Sequence, residues 1–174
     1  MSHFSWPNAI SILRLPLAAA FLASEAFATR GVILAAGAIS DWLDGWLARR
    51  LGQKTRLGEI LDPLTDRIFI LAAFASFALS GQLSLGQLLI LLSRDLFTGI
   101  AFVAASAFRL PVRFKARGGG KAVTVLQIVA VLTLLVRPEW IRVLVVVVGV
   151  ASAYAIADYT RVGLRALQRR HGDQ

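Results

Sequence analysis

Cysteine is absent from the chain. Disulfide frameworks and thiolate sites are therefore excluded, and the compartment is left open. Histidine is nearly absent: His3 and His171 lie at the two ends and read as solvated. Acidic residues are few, ten against 19 lysines and arginines, which gives a net charge of +9. No internal repeat, low-complexity tract or linker long enough to separate two domains is present, so residues 1–174 read as one domain. The N-terminus lacks a basic n-region and an Ala-x-Ala-like site ahead of a polar domain, so a cleaved leader is not expected.

What fills the chain instead is hydrocarbon. Apolar residues make up 57% of it, and mean hydropathy is +0.68. A soluble domain of this length does not carry so much apolar surface. Runs such as AVTVLQIVAVLTLLV and IRVLVVVVGVASAYAIA approach the roughly 20 residues that cross a bilayer. Six apolar segments stand out, at about 8–28, 31–50, 57–80, 84–108, 119–137 and 139–163. Their length and Leu/Ala/Val content favour helices over barrel strands. The expected fold is an all-α membrane protein, six transmembrane helices in one bundle.

The basic residues fall between the apolar segments, not on one face of a soluble domain, so nucleic acid is not the expected partner. Arg49, Arg50, Lys54 and Arg56 form one cluster, and Arg109, Arg113, Lys115, Arg117 and Lys121 a second. Arg161, Arg165, Arg169 and Arg170 form a third. Together they make thirteen charges on one side, against Arg30, Arg137 and Arg142 on the other. The positive-inside rule then puts both termini and the first basic loop at the cytoplasmic side of the membrane.

That first loop lies within the stretch SDWLDGWLARRLGQKTRLGEILDPLTDR, residues 40–67, which holds four aspartates between apolar flanks. Asp41, Asp44, Gly45 and Ala48 recur at i, i+3, i+4 and i+7; Gly58, Asp62 and Asp66 recur at i, i+4 and i+8. Each set marks one face of a helix. A short basic turn makes the two helices antiparallel neighbours, and the four carboxylates can converge. Unpaired, they would repel one another and lose hydration at several kcal/mol each, about the cost of any buried ion. Divalent cations remove both costs, and an oxygen-only donor set selects Mg²⁺, Mn²⁺ or Ca²⁺ over zinc. Two such ions about 4 Å apart suit phosphoryl transfer. Gly45, Ala48 and Gly58 leave room for a phosphate-bearing ligand near the backbone. Arg14 and Arg67, inside helices, are expected to offset the acidic cluster.

The complete spacing, Asp41-x2-Asp44-Gly45-x2-Ala48-Arg49-x8-Gly58-x3-Asp62-x3-Asp66, resembles the signature of the CDP-alcohol phosphotransferase family. The resemblance implies a phosphatidyltransferase that takes the phosphatidyl group of CDP-diacylglycerol, gives it to an alcohol and releases CMP. It implies two Mg²⁺ or Mn²⁺ ions held by Asp41, Asp44, Asp62 and Asp66, with Asp66 also the general base. It implies a CDP pocket lined by Asp44, Gly45, Ala48, Arg49, Gly58 and Asp62. It also implies a six-helix bundle in the inner or plasma membrane, its active site facing the cytoplasm, and a homodimer.

GKAVTVLQ, residues 120–127, is similar to the G-K-x-x-T-x-x-Q stretch of phosphatidylglycerophosphate synthases and of the cardiolipin synthases in this family. LDPLTDR resembles the LDPxADK form of the former. The acceptor is thus expected at Lys121 with Arg113, Lys115 and Arg117, residues suited to a phosphate. Glycerol 3-phosphate leads. Val123 stands where phosphatidylglycerophosphate synthases commonly carry a second lysine, which keeps cardiolipin synthase with phosphatidylglycerol as acceptor, or phosphatidylinositol-phosphate synthase, in view. Gly118–Gly120 reads as a flexible break or a phosphate cradle, and Arg94–Asp95 as a buried ion pair or a wall of the acceptor pocket. Two rival classes are an intramembrane prenyltransferase and a cation transporter. The first needs a second acidic motif and the second needs carboxylates spread across the membrane, whereas these crowd at one end.

Overall fold

The computed structural model describes residues 6–51, 58–107 and 118–172. Among them are six α-helices and no strand: α1 (Trp6–Ala23), α2 (Phe27–Leu51), α3 (Gly58–Leu79), α4 (Leu85–Ala107), α5 (Gly118–Val136) and α6 (Ile141–Gly172). A 3₁₀ turn at Pro138–Trp140 leads into α6. Windows within Leu85–Ala105, Gly119–Val136 and Pro138–Gly163 are long and apolar enough to cross a membrane, and Ser11–Ala23 is a shorter apolar helix. These spans mark a membrane protein.

Two boundaries differ from the sequence reading. The first segment stops at Ala23, not near residue 28, and α2 begins at Phe27. Arg30 explains the early break, because its Nε donates to the carbonyl of Ser24 at 2.8 Å and so satisfies a helix-end acceptor. At the other end α6 continues to Gly172, nine residues past the apolar run that signalled it. Hydropathy reports the membrane stretch of a helix, not its polar extension.

The chain forms two compact units, residues 1–83 and 84–174. In the first, α1 packs along both α2 and α3. Phe21, Phe74 and Phe77 are fully buried, and Phe21 meets Phe69 and Phe77 edge to face at 6.3 and 5.8 Å. Aromatic pairs of this geometry add to area burial. Arg30 lies over the rings of Phe21 and Phe77, 5.5 and 4.8 Å from their centroids, and donates to Ser76 Oγ at 2.6 Å. It therefore clasps α2 to both partners. Gly37 leaves room for the ring of Phe69 from α3: a Cβ there would sit 3.1 Å from Phe69 Cζ.

The unit ends in a tight turn. Gly81 takes φ +75°, the left-handed value open to glycine. Gln82 N–H donates to the Phe77 carbonyl at 2.9 Å, closing the end of α3. Ser84 and Gln87 then form a reciprocal capping box at the start of α4, with bonds of 2.9 and 3.3 Å.

In the second unit α6 packs against α4 and α5. Leu91, Val123, Ala130, Leu134 and Val148 are buried between them. Gly149 lets α6 approach α4, since a Cβ there would stand 3.0 Å from Ile90 Cγ2.

Candidate functional site

Arg14 sits in the middle of α1 with only 2% of its side chain exposed. A guanidinium cannot be deprotonated to escape such burial, so it must be matched by acceptors. Three surround it. Its Nη2 donates to Asp41 Oδ1 of α2 at 3.0 Å, its Nη1 to Asp66 Oδ1 of α3, and its Nε to Ser40 Oγ at 3.4 Å. Ser40 in turn donates to the carbonyl of Gly37 at 2.7 Å, which fixes its hydroxyl for that role. One side chain thus draws carboxylates from two helices to a common point. The planar fork of arginine, with donors on three nitrogens, makes this possible where an ammonium would not.

The carboxylates themselves stay accessible: the Asp41 side chain is 65% exposed and that of Asp66 42%. Two open carboxylates set against a single guanidinium leave a net negative charge that can receive a positively charged ligand. The donor chemistry is all oxygen, which fits hard divalent ions such as Mg²⁺ or Mn²⁺. Among the described residues no three metal-ligating side chains come together. Asp44 lies one helical turn beyond Asp41 in α2, and Asp62 one turn before Asp66 in α3; their side chains lie outside the described set, as do those of Ala48 and Arg49 and the surroundings of Gly45 and Gly58. The helix assignments agree with the sequence reading of these positions, and α3 runs on through Pro63.

Of the expected acceptor residues, Lys121 is exposed in the first turn of α5, and Arg113, Lys115 and Arg117 fall outside the described residues. Beside that first turn lies a second polar cluster. Arg94 and Asp95 pair at 2.7 Å in α4. Asp95 Oδ2 accepts from Gln127 Nε2 of α5 at 2.7 Å, and the same amide donates to the Leu91 carbonyl at 2.8 Å. Arg94 Nη2 donates to the hydroxyl of Tyr159 in α6 at 3.4 Å. Gly120 closes the group, because a Cβ there would run into the Tyr159 hydroxyl and into Arg94 Nη2. The ion pair read from the sequence is present, and it is the centre of a network that ties α4 to both α5 and α6.

Sequence reasoning missed Ser40, Tyr159 and the partner of Gln127. Ser40 adjoins Asp41, a weak signal; nothing local marks Tyr159. Gln127 stands in the GKAVTVLQ stretch, but its side chain serves the helix interface, being 1% exposed.

The profile described as CDP-alcohol phosphatidyltransferase matches residues 4–155. A CDP-diacylglycerol–glycerol-3-phosphate 3-phosphatidyltransferase of Aquifex aeolicus is 30% identical over 176 residues, covering 92% of this chain and 97% of its own length. A Mycobacterium tuberculosis protein with the provisional name cardiolipin synthase is 41% identical over 93 residues, 51% of this chain. The match takes in less than half of that relative, 44%. A CMP-forming cardiolipin synthase of Streptomyces coelicolor is 42% identical over 64 residues, 37% of this chain and 30% of its own.

Proposed function

Because the chain belongs to the CDP-alcohol phosphatidyltransferase family, we propose that it transfers the phosphatidyl group of CDP-diacylglycerol to an alcohol and releases CMP, with glycerol 3-phosphate as the leading acceptor. One observation supports this most: Asp41 and Asp66, the first and last aspartates of the spaced set, come from different helices to one guanidinium. The near end-to-end match with the Aquifex aeolicus enzyme favours glycerol 3-phosphate. The partial matches to cardiolipin synthases, together with Val123, keep phosphatidylglycerol as the second reading.

In the reaction, the acceptor hydroxyl oxygen forms a bond to the phosphatidyl phosphorus, and the bond from that phosphorus to CMP breaks. Asp66 takes the hydroxyl proton. Asp41, Asp44 and Asp62 would hold divalent ions with it, and those ions supply charge neutralisation at the pyrophosphate and at the departing CMP. Gly45, Ala48 and Gly58 give the CDP moiety access to the backbone, with Arg49 at its phosphates. Lys121, with Arg113, Lys115 and Arg117, orients the acceptor phosphate.

The same reading makes the chain one domain of six spans, with both termini and the aspartates at the cytoplasmic face of the cell membrane, and a homodimer. The basic clusters at 49–56, 109–121 and 161–170 support this orientation. An acceptor panel of glycerol 3-phosphate, phosphatidylglycerol, inositol phosphate and serine, supplied with CDP-diacylglycerol and Mg²⁺, tests the assignment. Glycerol 3-phosphate is expected to give the fastest turnover; preference for phosphatidylglycerol would install the second reading.

A further inference from the structure

Arg14 has no role in the chemistry above, yet it is among the most deeply buried side chains of the protein. Its position is specific. It approaches the carboxylates from beneath, through α1, while their outer surfaces stay open. The charges it touches are those the proposed function gives to divalent ions. Four aspartates within two turns of two neighbouring helices strongly disfavour an empty site, unless a cation is already present.

We propose that Arg14 is the resident counter-cation of this site, a positioning residue that balances Asp41 and Asp66 while no divalent ion is bound and with which an arriving ion competes. The inference rests on the reading that these aspartates bind metal. Its consequence follows from linkage. Arg14 stabilises the empty cluster through charge-assisted hydrogen bonds to Asp41 and Asp66. In the loaded cluster it faces divalent ions of its own sign and contributes less. Removing its charge therefore harms the metal-free protein more than the metal-bound one, and the difference appears as tighter metal binding. A unit charge a few ångströms from a divalent ion repels it enough for about a tenfold change in affinity, even in a water-like dielectric.

The test uses the purified full chain in detergent. Thermal unfolding is followed in EDTA and in saturating Mg²⁺, and Mn²⁺ affinity is read from the free-ion electron paramagnetic resonance signal. Four proteins are compared: wild type, Arg14→Gln, Arg14→Lys and Phe77→Leu as a packing control. Arg14→Gln is expected to melt well below wild type in EDTA, to recover most of that loss in Mg²⁺, and to bind Mn²⁺ about tenfold more tightly. Arg14→Lys keeps the charge and should match the metal response of wild type. Phe77→Leu should lower both melting temperatures equally.

If wild type itself shows neither a Mg²⁺ shift nor Mn²⁺ binding, the metal reading fails and takes the counter-cation with it. If wild type responds to metal but Arg14→Gln responds equally or less, only the counter-cation proposal is overturned. A glutamine variant that unfolds with or without metal overturns it too, as does a lysine variant that behaves like glutamine. A glutamine variant recoverable only in Mg²⁺ is the expected result in its extreme form.

Discussion

Arg14 of α1 donates to Asp66 of α3, a partner 52 residues further along the chain. The bond joins two helices that run side by side, and it places the carboxylate assigned as general base against a fixed cation. Replacing Asp66 by asparagine keeps an oxygen for Arg14 to meet but removes the proton acceptor. Asp66→Asn should therefore fold and still bind CDP-diacylglycerol, while turnover falls by about 10²-fold or more. Binding measured by isothermal titration alongside CMP release separates the two effects. Normal turnover in the variant would remove Asp66 from the role of base.

A second buried arginine closes the other end of the same three helices. Arg30 lies 11 residues before Asp41 in α2, about 16 Å along the helix axis. It combines bonds to Ser24 O and Ser76 Oγ with the faces of Phe21 and Phe77. Lysine cannot reproduce a planar group that stacks and bonds in several directions at once. Arg30→Lys should lower the melting temperature although charge is conserved, with a loss of about 1–3 kcal/mol. An unchanged melting curve would reduce Arg30 to a topology charge, the role the sequence census gave it.

Gly120 offers a cleaner geometric test. A methyl group there would meet the Tyr159 hydroxyl first and Arg94 Nη2 next. Gly120→Ala should destabilise by about 1–3 kcal/mol, the usual cost of overpacking. Tyr159→Phe removes the nearest obstructing atom, so the double variant should recover part of the loss. A strictly additive cycle, measured by thermal unfolding of all four proteins, would show that the crowding is not at this hydroxyl.

Gln127 and Val123 probe α5 from its buried side. Gln127→Leu removes the buried amide that donates both to the Leu91 carbonyl and to Asp95 Oδ2, and losing a hydrogen bond to a charged group costs about 1.5–3 kcal/mol. Val123 is wholly buried, so Val123→Lys should be more damaging than Gln127→Leu and should not speed transfer to glycerol 3-phosphate. A gain in that rate from Val123→Lys would mean that the position opens onto the acceptor.

The aspartate array was legible in the sequence because its spacing carries helical periodicity, and four carboxylates between hydrocarbon flanks demand an explanation. Arg14 was legible only as a charge that had to be offset. Its spacing to Asp41 and Asp66 is set by packing of α1, which no local pattern encodes. The helices showed through composition, with errors at the two places where a polar contact or a polar extension set the boundary, Ser24 and the end of α6. Tyr159 and Gln127 were not readable as partners of Arg94 and Asp95, because three helices distant in sequence meet there.

The central claim is that acidic side chains of α2 and α3 drive transfer from CDP-diacylglycerol. It is tested most directly by measuring CMP released by purified wild-type protein with glycerol 3-phosphate, with and without Mg²⁺ or Mn²⁺. CMP should appear only when donor, acceptor and divalent ion are all present, in step with one new phosphatidyl ester per CMP. CMP formed without acceptor, at an unchanged rate in EDTA, or not formed with any alcohol, would contradict it.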